Sequence, residues 1–112
     1  MLSLKSVLLS LFLVLPIMHA EPLTVLLGTF TRGDSEGVYA VQMDTETGAL
    51  TEAKLVAELE NPGFLTRHPK LPVVYAILVE KDSSGSQVGG IAAYAIDWKT
   101  GELKEINRRV AS

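Results

Sequence analysis

The chain repeats itself. Residues 37–52 align with residues 90–105 at an offset of 53 residues. Seven positions are identical: Gly37/Gly90, Ala40/Ala93, Asp44/Asp97, Thr47/Thr100, Gly48/Gly101, Leu50/Leu103 and Glu52/Glu105. Three of these pairs fall inside one turn, and that turn has a mechanism. An Asp carboxylate accepts from backbone amides two or three residues on, while Gly supplies the left-handed position that closes the hairpin. The same mechanism argues against reading Asp44 and Asp97 as metal or catalytic groups. A repeat near fifty residues constrains the fold more than any other feature here, because each unit must bury its faces against neighbours.

The repeated unit consists of strands. Apolar runs over 23–30, 38–43, 55–59, 73–79, 91–96 and 106–110, with a shorter one over 64–66, alternate with clusters of Gly, Pro, Asp, Asn and Ser. No window carries an i, i+3, i+4, i+7 apolar stripe, so the reading is all-β. The run 73–79 is apolar without alternation, which predicts a strand covered on both faces. Four-stranded sheets repeated at this period make a β-propeller. A seven-stranded sandwich holds the same strands but gives no reason for the repeat. Six or seven blades need roughly 300 to 350 residues at this period. One repeat is complete here and its neighbours are partial, so the expectation is the amino-terminal part of a longer protein, about its first two blades.

The first twenty residues stand apart from the rest. Lys5 precedes an apolar run from Val7 to Leu15, Pro16 breaks it, and Met18-His19-Ala20 ends on a small residue. This is the layout of a secretory signal peptide cleaved near Ala20–Glu21. The run is too short to favour a membrane anchor across a ~30 Å hydrocarbon core. Residues 1–20 are therefore expected to be a leader and 21–112 the domain, exported to the periplasm or beyond the cell, with no stable membrane association afterwards. Zero Cys removes disulfides, thiolate metal sites and a thiol nucleophile together. A formal net charge of −3 leaves no basic footprint for nucleic acid.

The sequence resembles the lactonase-type seven-bladed propellers that include bacterial 6-phosphogluconolactonase and fungal carboxy-muconate cyclase. The matching stretches are Leu27-Gly28-Thr29-Phe30-Thr31 with Ser35-Glu36-Gly37-Val38-Tyr39, and Asp44-Thr45-Glu46-Thr47-Gly48-Ala49-Leu50. They continue through Asn61-Pro62-Gly63-Phe64-Leu65 with His68-Pro69, Val74-Tyr75-Ala76 with Glu80, and Gly89-Gly90-Ile91 to Asp97 and Gly101. The order and spacing of these elements cover nearly all of 24–107. Two positions depart from the family pattern: Phe30 lacks the hydroxyl usual there, and Val79 lacks an amide. The resemblance implies that 64–68, 73–79, 91–96 and 106–110 are the inner to outer strands of one blade. It implies that 24–30, 37–43 and 53–59 are strands two to four of the blade before it.

In that arrangement the loops joining strand two to three and strand four to one gather on one face around the channel, where ligand sites form. Asn61, Thr29, Thr31 and Arg32 are then candidate substrate-binding residues. Glu80, with Lys81 beside it, is the candidate catalytic carboxylate, at the end of an apolar strand where burial raises a carboxyl pKa. Arg32 and Lys81 are cations suited to a phosphate or carboxylate. His68, beside Pro69 at the far end of the short strand, reads as packing. Trp98 reads as an exposed turn residue. Ser83, Ser84 and Ser86 lack a nucleophile elbow, and residues 85–90 lack a dinucleotide fingerprint.

The resemblance implies a hydrolase of sugar lactones, possessing no cofactor or metal and taking a small-molecule substrate, with most catalytic groups beyond Ser112. The alternative is a non-catalytic exported propeller that serves as a binding platform, since a fold does not fix a function. Alone, 21–112 is expected to be inactive and aggregation-prone, because blade faces and strand edges lie bare.

Overall fold

The structure is a computed structural model that describes residues 21–111. The leader reading of residues 1–20 lies outside the described residues. Seven strands follow one another: β1 (Leu23–Gly28), β2 (Gly37–Met43), β3 (Lys54–Glu58), β4 (Leu65–Arg67), β5 (Val73–Lys81), β6 (Gln87–Ile96) and β7 (Leu103–Val110). Among the described residues there is no helix. The strands form a three-stranded sheet in the order β1-β2-β3 and a four-stranded sheet in the order β4-β5-β6-β7. Every neighbouring pair is antiparallel. Each sheet is thus a plain meander, as in a propeller blade, whereas a Greek-key sandwich carries the chain from sheet to sheet.

The two copies of the repeated turn are held by the same bonds. Asp44 Oδ1 accepts from the amides of Glu46 at 2.8 Å and Thr47 at 3.2 Å, and Asp97 Oδ1 accepts from the Lys99 amide at 2.9 Å. Gly48 (φ 77°) and Gly101 (φ 80°) each donate to the Asp carbonyl of their own turn at 2.7 Å. Turn chemistry accounts for the repeated Asp residues.

Three strands extend two or more residues beyond their apolar runs. β5 extends to Lys81, β6 begins at Gln87 and β7 begins at Leu103. In the β5–β6 hairpin Lys81 opposes Gln87 across a five-residue turn, and β7 begins where Leu103 opposes Ile96, so ladder pairing continues through residues that carry no apolar signal.

The core lies between the sheets. Val74, Ala76 and Leu78 of β5, Ala92, Tyr94 and Ile96 of β6, and Leu59 form it, with Leu26 and Ala57 of the first sheet packed against them. Each large aliphatic side chain buried there contributes about 1.5–3 kcal/mol. The expected two-sided burial of β5 is not what is seen: burial alternates along it, and Ile77 is 42% exposed. The three-stranded sheet covers one face only.

Trp98 also differs from its expected place. It is half-buried against the core, its carbonyl accepts from Thr24 Oγ1 at 2.6 Å, and the Arg67 guanidinium sits 4.8 Å from its ring centroid. The turn that carries it folds back onto β1 of the other sheet. The repeat gave no warning, because the matching position holds Thr45.

Candidate functional site

The β1–β2 loop, the segment joining β3 to β4 and the β5–β6 turn meet at one end of the sheets. The bond that joins the first two is a reciprocal clasp. Asn61 Oδ1 accepts from the Thr31 amide at 3.1 Å and from Thr31 Oγ1 at 3.3 Å, while the Asn61 amide donates to Thr31 Oγ1 at 3.2 Å. Asn61 holds φ 49°, a left-handed conformation that Asn adopts more readily than most residues. The neighbouring carbonyl of Glu60 accepts from the Val79 amide at 3.2 Å, which ties this loop to the end of β5. Thr29 is committed elsewhere: its hydroxyl donates to the Gly37 carbonyl at 2.6 Å and closes its own loop. Arg32 is exposed at the same end.

Replacing Asn61 separates these contributions. Asn61→Ala removes the acceptor and strains the backbone, at about 2 kcal/mol. Asn61→Gly restores the backbone and loses the acceptor alone, at about 1 kcal/mol, and Asn61→Asp, which retains the oxygen, stays nearest the parent. Urea unfolding midpoints check this order.

Glu80 ends an apolar strand, as the sequence indicates, but it is not alone there. Its Oε1 accepts from Arg108 Nη1 at 2.9 Å, and its side chain is 34% exposed. Arg108 also grips Glu105, through Nε at 2.8 Å and Nη2 at 2.5 Å. That grip, more than the bond to Glu80, pushes the Arg108 guanidinium above its usual pKa. Beneath it lies the buried Tyr94 hydroxyl, which has no hydrogen-bond partner among the described residues. Burial first, and the Glu105 charge second, push the Tyr94 phenol up.

Sequence reasoning missed Arg108. A bulge between Ala93 and Tyr94 leaves Ile106 over, so that Arg108 opposes the fully buried Ala92 and lies on the inter-sheet face. Without the bulge Asn107 would stand there.

Thr31, Glu36, Glu58, Glu60, Glu80, Lys81 and Arg108 surround a cleft of about 580 Å³ floored by Leu59. Four carboxylates face two cations, so the cleft repels an anion more than it attracts one. A larger groove of about 780 Å³ runs along residues 23–26 of β1, facing Leu65, Arg67 and Trp98. β1 is the edge strand of its sheet, so this groove runs along an unpaired strand edge.

His68 lies at the opposite end of β4 from Asn61, as expected from its neighbour Pro69. Its Nδ1 accepts from the amides of Lys70 at 3.0 Å and Leu71 at 2.9 Å, which caps the turn into β5. The Ser cluster is similarly structural: Asp82 Oδ1 accepts from Ser84 Oγ at 2.6 Å and from the Ser84 and Ser86 amides at 2.9 and 3.0 Å.

These bonds, the Ser84 hydroxyl foremost and the Ser86 amide next, lower the Asp82 pKa from 3.8. The folded carboxyl therefore releases its proton more easily than the unfolded one. Its support of the turn is present above pH 3.8 and is lost as pH falls through the lower folded value. Amide exchange at Ser84 and Ser86 should accelerate in that acidic window relative to the ladder amides of β6. Asp82→Asn should remove the pH dependence.

Comparison with known proteins supplies the wider frame. A family model described as lactonase, 7-bladed beta-propeller, matches residues 24–112. The 6-phosphogluconolactonase of Bacillus subtilis (strain 168) is 41% identical over 83 residues, 74% of this chain and 22% of that protein. A Bacteroides fragilis protein of known structure superposes with a TM-score of 0.68 at 29% identity, over 83% of this chain and 25% of that one. The periplasmic gluconolactonase of Pseudomonas aeruginosa does so with a TM-score of 0.66 at 29% identity, over 78% of this chain and 24% of that one. The chain thus spans about a quarter of the length of the relatives it matches. With the repeat, the two meander sheets and the family match in agreement, the chain belongs to the lactonase family of seven-bladed β-propellers.

Proposed function

We propose that this chain supplies the first blades of an exported sugar-lactone hydrolase of the 6-phosphogluconolactonase type. The observation that carries the reading is the 41% identity to the Bacillus subtilis enzyme across 83 residues. Export is supported by the leader-like residues 1–20 and by a relative described as periplasmic.

In the proposed reaction a water oxygen bonds to the lactone carbonyl carbon while a carboxylate takes the water proton. The bond from that carbon to the ring oxygen then breaks, and the ring oxygen accepts a proton to leave as a hydroxyl. Glu80 is the proposed base from this chain. The Thr31–Asn61 clasp fixes the loops beside it, and Thr29 supports the same loop. Because the cleft is acidic, the anionic end of a phosphorylated lactone points away from it, towards Arg32.

A non-catalytic platform is the second reading, favoured by the engagement of Glu80 with Arg108, since structural ion pairs occupy carboxylates in this way. A chimera separates the two readings. The matching 83-residue stretch of the Bacillus subtilis enzyme is replaced by that of this chain, and hydrolysis of 6-phosphogluconolactone is followed. The enzyme reading expects an active chimera whose Glu80→Gln variant loses about 100-fold or more in kcat with an unchanged melt. An active chimera indifferent to Glu80→Gln removes Glu80 from the chemistry. A folded, inactive chimera favours the platform.

A further inference from the structure

Three residues apart on a strand, two side chains ordinarily face opposite ways. Glu105 and Arg108 do not. Glu105 opposes Tyr94 and Arg108 opposes Ala92, and those two β6 residues share the inter-sheet face, so the bulge at Ile106 brings both charges to one side. Bulges next to functional sites re-aim a side chain in this way. The fold itself does not require the pair. The first sheet has its own bulge, between Val38 and Tyr39, and the corresponding residues on β3 are Leu55 and Glu58, which cannot form one.

What the pair does follows from how its bonds are divided. Arg108 Nε and Nη2 both donate to Glu105 Oε1, a side-on grip that fixes the plane of the guanidinium. The Tyr94 hydroxyl beneath takes no part, since it has no hydrogen-bond partner among the described residues. Nη1 is left to reach β5, where it donates to Glu80 Oε1 at 2.9 Å. No bond among the described residues reaches Glu80 Oε2. An Arg that served only to neutralise Glu80 would commonly hold both of its oxygens. Glu80 is instead held by one oxygen and open at the other, at the cleft it shares with Thr31 and Lys81.

We propose that Arg108 and Glu105 are positioning residues for Glu80: Glu105 sets the guanidinium, the guanidinium sets Oε1, and Oε2 is left to take the proton of the attacking water. This rests on the reading of Glu80 as the base, and it makes the ion pair part of that reading rather than an objection to it. In the step itself a water O–H bond breaks, the Oε2–H bond forms, and the water oxygen bonds to the lactone carbonyl carbon. Arg108 keeps all its protons throughout. Positioning matters here because a misplacement of about 1 Å can cost on the order of 100-fold in rate.

The test uses both the chimera, with residues 24–112 taken from this chain, and the chain itself. In the chimera Glu105→Gln is expected to lower kcat about 10-fold with KM within about twofold, because Glu105 touches no substrate. Arg108→Lys retains the charge but not the fork, and is expected to fall by a similar factor. Added to Glu80→Gln, neither change should lower kcat further, since both act through that carboxylate. The three side chains are 34% to 40% exposed, so melting midpoints should stay near the parent's. In the 112-residue chain the Arg108 Nε proton is expected to exchange slowly with water, and to be released by Glu105→Gln but not by Glu80→Gln. A folded chimera that is inactive, or indifferent to Glu80→Gln, removes the base, and this inference falls with it. A chimera that needs Glu80 yet retains full kcat in Glu105→Gln and Arg108→Lys overturns the positioning role alone. Losses that add to that of Glu80→Gln, or an Nε proton released by Glu80→Gln instead, overturn it as well.

Discussion

Leu78→Ala is expected to cost about 3–4 kcal/mol, a large part of the stability of any domain this size. Leu78 is 1% exposed and among the largest fully buried side chains. It sits mid-strand in β5, opposite Gly90, which offers no side chain to collapse into the space. The loss therefore combines the transfer of the missing methyl groups with a cavity that neighbours cannot refill. For a domain of about 100 residues such a change lowers the melting midpoint by more than ~12 °C. The neighbouring Ile77→Ala is the control. Ile77 faces the open side, and its truncation is expected to cost less than about 1 kcal/mol in dilute solution. Comparable losses at the two positions would mean that the core is not one-sided.

How far such features are legible in the sequence depends on what sets them. The repeat offset fixed the turns at Asp44 and Asp97 in advance, because an Asx turn is local: one carboxylate, two amides and a glycine within five residues. Strand order within each sheet was equally accessible, since short turns between apolar runs leave antiparallel neighbours as the economical pairing. The clasp between Thr31 and Asn61 was legible only as two candidates on loops assigned to one face; their reciprocal bonds appear in the structure.

The ion pair at Glu80 was not legible. It depends on the bulge that leaves Ile106 over in β7 and turns Arg108, rather than Asn107, to the inter-sheet face. A bulge is one extra residue in a ladder, and nothing in the composition of 103–110 marks it. Trp98 escaped for a related reason. Its burial is set by which sheet its turn folds against, a contact with Thr24, 74 residues away in sequence. Two-sided burial of β5 was a fair inference from its unbroken apolar run. Here one cover is the first sheet, and the other face meets no described residue of the same chain.

Gly28→Ala is expected to be as damaging as the loss of Leu78, through overpacking rather than a cavity. Gly28 ends β1, and a Cβ built there would collide with the Pro62 carbonyl oxygen, while Pro62 C at 3.2 Å and Leu65 Cγ at 3.5 Å close off the escape. Pro62 is fully buried. The obstacle is backbone in a packed loop, not the far end of a flexible side chain, so relief requires β1 and the 59–64 segment to separate. A cost of about 3 kcal/mol is expected, at the upper end for an inserted methyl. The damage should have a signature that simple destabilisation lacks. Separation at this point pulls Thr31 from Asn61, so the Thr31 amide should lose exchange protection before the amides of β6 do. Gly63→Ala is the matched comparison in the same loop. A Cβ there meets only the Phe30 ring, at 3.5 Å, which is ordinary contact with a side chain 71% exposed and free to move. It is expected to cost less than about 1 kcal/mol and to leave the clasp protected. If both glycines tolerate Ala, the end of β1 is not pressed against the Asn61 loop, and the cleft beside Glu80 loses the contact that shapes it.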